Sequence, residues 1–131
     1  MELVALLAIG AFVFAAAAVQ HLYTVRSKGV RFVMTDRSQP LPDDGFAGRS
    51  ARALRNTVES AAMYGPAVVV LVLVAGQTLL TAMAASVYIV ARAGFLLAYW
   101  AGINRLRSAF WAAGMAAIVV TYIGAIAALI P

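Results

Sequence analysis

GRSARALRNTVESAAMYGP, residues 48–66, decides how the chain is read, because it sets Arg52, Arg55, Asn56 and Glu59 into the front of an otherwise apolar segment. Offsets of 0, 3, 4 and 7 place these four side chains on one face of a helix. In hydrocarbon such a stripe is costly, so the rest of the chain has to shelter it.

The surrounding composition shows that hydrocarbon is the right reference. Of 131 residues, 64% are hydrophobic and 11% charged, and the mean hydropathy is +0.92. A soluble domain holds roughly 45–50% apolar residues, so this composition predicts an integral membrane protein. The net charge of +5 would suggest nucleic acid in a soluble protein. Here the cations cluster on one side of the apolar segments, as membrane topology requires, and no nucleic-acid partner is expected. The chain has no cysteine, which excludes disulfides, a catalytic thiol of its own and cysteine-ligated metal.

Upstream of the stripe, Leu3 to Val25 is a run of 23 residues without formal charge, long enough to cross a ~30 Å hydrocarbon core. A cleaved signal peptide fits less well. No Lys or Arg precedes the run, Glu2 stands where a positive charge belongs, and the run exceeds an h-region. A polar loop, about 26–46, follows with Arg26, Lys28, Arg31 and Arg37, and with Pro40, Pro42, Asp43, Asp44 and Gly45 supplying turn chemistry. The second helix is expected over about 47–75, capped within Asp44 to Ser50, with Pro66 able to kink it. Gly76-Gln77-Thr78 interrupts the pattern, and further helices are predicted at about 78–102 and 106–130.

The expected fold is thus all-α, one integral membrane four-helix bundle with up-down topology. Seven Lys or Arg lie between Arg26 and Arg55, and Arg105 and Arg107 lie at the third connection. The positive-inside rule then predicts a cytoplasmic long loop with both termini on the outer side. A bacterial inner membrane is the expected location.

Depth makes the stripe informative. From Ser60 to Ala75 there are 16 uncharged residues, and from Thr78 to Ala91 there are 14, both short of the roughly 20 a span needs. Glu59 and Arg92 are therefore expected at the edge of the hydrocarbon or inside it, ~25 Å and ~22 Å from the Gly76 turn at 1.5 Å per residue. An antiparallel pair would set them side by side, with Asn56 and Tyr99 near one level. Glu59 and Arg92 could form a structural ion pair and nothing more. Headgroup snorkelling explains Arg52 and in part Arg55, but not Asn56 and Glu59 one turn deeper. Surplus cations beside one carboxylate suit a small zwitterion carrying extra carboxylates.

Arg52-Ala53-x-Arg55-Asn56-x-x-Glu59, then Arg92, Tyr99 and Leu106-Arg107-Ser108, together resemble the family of membrane-associated proteins in eicosanoid and glutathione metabolism, MAPEG. The resemblance covers nearly the whole chain and includes Thr35-Asp36-Arg37, similar to an Arg-Asp element of bacterial members. It implies a homotrimer with glutathione in a U shape between subunits. On that resemblance, Glu59 takes the γ-glutamyl ammonium, Arg55 and Asn56 hold the polar backbone and a carboxylate, and Arg52 supports them. Arg26 reaches the other carboxylate, while Tyr99 and Arg92 belong to the same site. Arg107 stabilises the thiolate, and Ser108 stands where some members place a helping hydroxyl. A guanidinium beside a helix N-terminus lowers a thiol pKa, and the thiolate is the nucleophile.

The sequence also departs from familiar members. Leu54 and Phe95 replace histidines of the prostaglandin-synthase type, and Ser60 replaces a tyrosine of the leukotriene-synthase type, so eicosanoid synthesis is not implied. Arg105 is a rival to Arg107, because the spacing from Tyr99 differs by one residue among members. His21 reads as packing or interfacial, and Tyr23, Trp100 and Trp111 read as interface-belt aromatics. Gly10, Gly94, Gly114 and Gly124 read as close-packing positions. Asp36, Asp43 and Asp44 read as turn and cap chemistry, and no metal is expected. Two functional classes remain. One is a glutathione-dependent transferase or peroxidase acting on a lipophilic electrophile from the lipid. The other is a non-catalytic membrane protein whose polar stripe fixes trimer assembly or docks a partner. A small ion pathway fits less well, because one Glu59–Arg92 pair supplies no continuous polar line.

Overall fold

A computed structural model describes residues 1–35 and 42–130. Its helices are α1 (Glu2–Lys28), α2 (Val30–Val33), α3 (Gly45–Leu73), α4 (Leu79–Ala101) and α5 (Asn104–Leu129), with no strand among the described residues. All but α2 are long and apolar enough to cross a membrane.

Local chemistry explains the boundaries. α4 starts at a capping box in which the Thr78 and Thr81 side chains each accept the other's backbone N–H. It ends at Gly102, whose φ of 77° is the left-handed conformation a helix stop uses. α1 runs past its predicted end at 25 to Lys28, with the Ser27 hydroxyl donating to the Tyr23 carbonyl. α3 begins at Gly45, two residues before expected, after Asp44 in extended conformation. The chain there doubles back so tightly that a Cβ on Gly48 would lie 1.9 Å from the Asp43 carbonyl oxygen. Pro66 does not end α3, which continues to Leu73. The polar loop is not wholly irregular, since α2 lies within it.

α1 packs against α3 and α4, α5 packs against the same two, and α3 and α4 also touch each other, so α1 and α5 are the two spans that lie apart. The main core joins Ala5 and Ile9 of α1, Tyr64 and Val68 of α3, Ala85 and Tyr88 of α4, and Ala117 and Ile118 of α5. Small residues let the backbones approach, which is how helices associate in lipid. Gly94 is one such position: a Cβ there would meet the Phe110 ring at 2.5 Å. Gly10 is not, because nothing lies within 4 Å of a Cβ built on it.

The outer surface is apolar. Leu7, Phe14, Leu73 and Leu79 are each more than three-quarters exposed, a pattern suited to lipid rather than water. Buried hydroxyls return to their own helix: Thr24 donates to Gln20, Thr57 to Ala53 and Thr121 to Ala117, at 2.9, 2.7 and 2.8 Å. Other polar contacts cross between helices. Ser60 pairs with the Tyr88 hydroxyl at 2.9 Å, Thr81 donates to buried Glu2 at 2.5 Å, and Arg92 donates to Asn56. Glu2 also pairs with the chain's own ammonium at 3.0 Å, an anchoring role its sequence position did not suggest.

Candidate active site

The inward line of α3 is Ala53, Thr57, Ser60 and Tyr64. At 100° per residue this line lies about 120° around the helix from the centre of the Arg52–Glu59 stripe. The stripe is therefore one face, as expected, but it does not point into the bundle. Asn56 sits at its core-side edge and is half-buried, whereas Arg55 and Glu59 are exposed.

This geometry corrects the expected Glu59–Arg92 pairing. Arg92 is 1% exposed and reaches Asn56 instead, its Nη2 donating to Oδ1 at 3.1 Å and to the Asn56 carbonyl at 3.3 Å. The same nitrogen lies 3.5 Å from Thr57 Oγ1, and the guanidinium stacks 4.3 Å from the Phe95 ring centroid. Gly114 of α5 makes room for the arginine stem, with Arg92 Cδ 3.4 Å from where a Cβ would stand. Among the described residues no carboxylate lies within ion-pair distance of Arg92. Direction around α3 separates Glu59 from Arg92.

The level shared by Asn56 and Tyr99 is occupied by a cavity of about 260 Å³, lined by Asn56, Phe95, Tyr99, Arg107, Ser108 and Trp111. Three helices supply it. α4 contributes its last turns, with Phe95 and Tyr99 edge-to-face at 5.1 Å. α5 contributes its opening turns, and the Arg107 guanidinium lies 5.1 Å from the Tyr99 ring centroid. No side chain caps the start of α5, so its first-turn amides add positive potential at this end. Arg105 is exposed while Arg107 is half-buried on the cavity wall.

Chemically, this is a donor-rich pocket backed by aromatic rings. Its polar lining is an amide, a phenol, a guanidinium and a hydroxyl, with no carboxylate. Such a lining suits an anionic or acceptor-rich organic ligand. Among the described residues no three His, Asp or Glu side chains come together as metal ligands.

The other expected site residues lie elsewhere in the chain. Arg26 is exposed near the end of α1, and Arg55 and Glu59 lie on the outer face of α3. Arg52 donates to the Asp43 carbonyl at 2.8 Å, which ties α3 to its incoming loop. Asp36 and Arg37 of the Thr35-Asp36-Arg37 stretch lie outside the described residues. Sequence reasoning assigned Trp111 to the interface belt and treated Phe95 only as a missing histidine. Both line the cavity. Their signal was present: Trp111 follows Arg107 by one helical turn, and Phe95 precedes Tyr99 by one.

A family model described as the MAPEG family matches residues 2–127. Neither a curated protein nor a solved structure matches the chain.

Proposed function

The chain belongs to the MAPEG family, and from that premise we propose that it is a membrane-bound glutathione-dependent transferase or peroxidase acting on a lipophilic electrophile. The observation that carries this reading is the cavity in which Asn56, Tyr99, Arg107 and Ser108 present donors with no competing carboxylate. Glutathione supplies a nucleophilic sulfur when bound. Arg107 holds negative charge on that sulfur, Ser108 donates a second hydrogen bond, and the thiol proton leaves to water. Conjugation then forms one S–C bond, and the displaced electron pair either leaves with a group whose bond to that carbon breaks or comes from a broken π bond and takes a proton from water. Thiolate stabilisation of this kind rests on prepositioned donors in a site that excludes water.

At about 260 Å³ the cavity falls just below the ~300–1,000 Å³ of a whole small-molecule site. Arg55 and Glu59 are exposed on α3, a helix long and apolar enough to cross a membrane, and among the described residues neither makes an ion pair. Both facts support a homotrimer in which a second copy covers the stripe and completes the site. In that assembly Glu59 takes the ligand ammonium, Arg55, Asn56 and Arg26 take its carboxylates and backbone, and Arg52 supports them. The charge bias supports a long connection on the cytoplasmic side of a bacterial inner membrane, both termini on the outer side. The exposed Arg55 and Glu59 also favour a second reading, in which the stripe serves assembly alone.

Titration of the detergent-solubilised protein with glutathione tests the ligand, and Trp111 in the cavity wall is a built-in reporter. A saturable fluorescence change is expected. No change at millimolar glutathione, in a preparation shown to be folded, would leave the assembly reading.

A further inference from the structure

Arg92 does not line the cavity, yet among the described residues it is the largest fully buried side chain. It carries a charge that no carboxylate among the described residues neutralises, and its Nε has no partner. A buried cation left in that state is strongly unfavourable unless something compensates it. Within the protomer, compensation comes from the Asn56 amide oxygen, the Asn56 carbonyl, Thr57 and the Phe95 ring face.

The contact with Asn56 has a directional consequence. A guanidinium can only donate, so the amide oxygen of Asn56 must be the atom that faces it. The other end of the amide, with two N–H donors, is then turned away from Arg92 on a side chain that lines the cavity. Without Arg92 the amide could flip and present its oxygen instead.

We propose that Arg92 is a positioning residue that locks Asn56 as a hydrogen-bond donor, so that the cavity selects ligands presenting a carboxylate or thiolate at that point. The proposal rests on glutathione as the ligand only for its choice of probe. The buried positive charge adds long-range attraction for the same anion, which the ligand rather than the protein supplies as counter-ion.

The test compares Arg92→Lys, Arg92→Met and Asn56→Asp with the wild type in a Trp100→Phe background, where Trp111 is the sole tryptophan. Arg92→Lys keeps charge and donation, so its glutathione Kd should stay within about threefold of wild type. Arg92→Met keeps the volume but frees the amide, and should weaken binding at least tenfold. Asn56→Asp gives Arg92 a carboxylate partner, so it should melt no lower than wild type while also binding at least tenfold more weakly. That combination separates positioning from structural support. Wild-type affinity in Arg92→Met or Asn56→Asp would overturn the proposal. If the wild type itself does not respond to glutathione, the ligand assignment fails and the lock is judged by nitrogen-15 spectra of the side-chain amides. Asn56 and Asn104 are the only asparagines. The lock predicts that the Asn56 amide pair stays in place in Arg92→Lys and is displaced or averaged in Arg92→Met; an unmoved pair in Arg92→Met would overturn it.

Discussion

Asn56 and Glu59 stand one turn apart on α3, yet one reaches the buried guanidinium of Arg92 and the other faces outward. The physical reason is helical phase: the inward line passes beside Asn56 and leaves Glu59 on the far side. A double-mutant cycle on unfolding free energy checks this assignment. Asn56→Ala with Arg92→Leu should show coupling of about 1–3 kcal/mol, whereas Glu59→Gln with Arg92→Leu should be additive to about 0.5 kcal/mol. Coupling larger for Glu59 than for Asn56 would restore the ion pair that depth alone suggested. The common level of Asn56 and Tyr99 was legible in the sequence from residue counts, since both line one cavity. Direction was not, because the stripe's own spacing is compatible with any rotation of α3 until the neighbouring helices fix which face is buried. Thr81 offers a second residue-level check, since its hydroxyl donates to buried Glu2. Thr81→Val removes that donor and part of the α4 cap, and should cost about 1–3 kcal/mol in thermal unfolding.

Among the elements, the seam between α4 and α5 matters most for the site, because it aligns Phe95 and Tyr99 with Arg107, Ser108 and Trp111. The seam is set by Phe110 lying on Gly94, where three ring atoms would fall within 2.7 Å of an added Cβ. Gly94→Ala should therefore lower stability by about 1–3 kcal/mol through overpacking, and Phe110→Ala in the same chain should recover part of the loss. Thermal melts of the single and double variants decide it, and a neutral Gly94→Ala would mean that the seam is looser than described. The spans were legible from uncharged runs, and their ends from Gly102 and Thr78. That α1 and α5 lie apart while α3 and α4 touch both was not legible, because residue counts give the spans but not which faces meet. α2 was also hidden, inside a stretch whose charges and turn residues read as loop.

At the scale of the whole molecule, the proposed function requires more than one copy of the chain. A single bundle leaves Arg55 and Glu59 exposed on a membrane-spanning helix, where a charged side chain costs roughly 2.5–3.5 kcal/mol on insertion scales. Mass measurement of the solubilised particle should give three chains, and Glu59→Leu with Arg55→Leu should leave the fold intact while altering that assembly. A stable wild-type monomer would remove the basis for a site shared between subunits. The proposed chemistry requires the donors around Arg107 to hold a thiolate. The most direct measurement is the ultraviolet difference spectrum of the protein with and without glutathione near neutral pH, repeated for Arg107→Ala and Arg105→Ala. Thiolate absorbance is expected in the wild type and in Arg105→Ala, and its loss in Arg107→Ala with glutathione still bound. Bound glutathione without a thiolate signal in the wild type would contradict it.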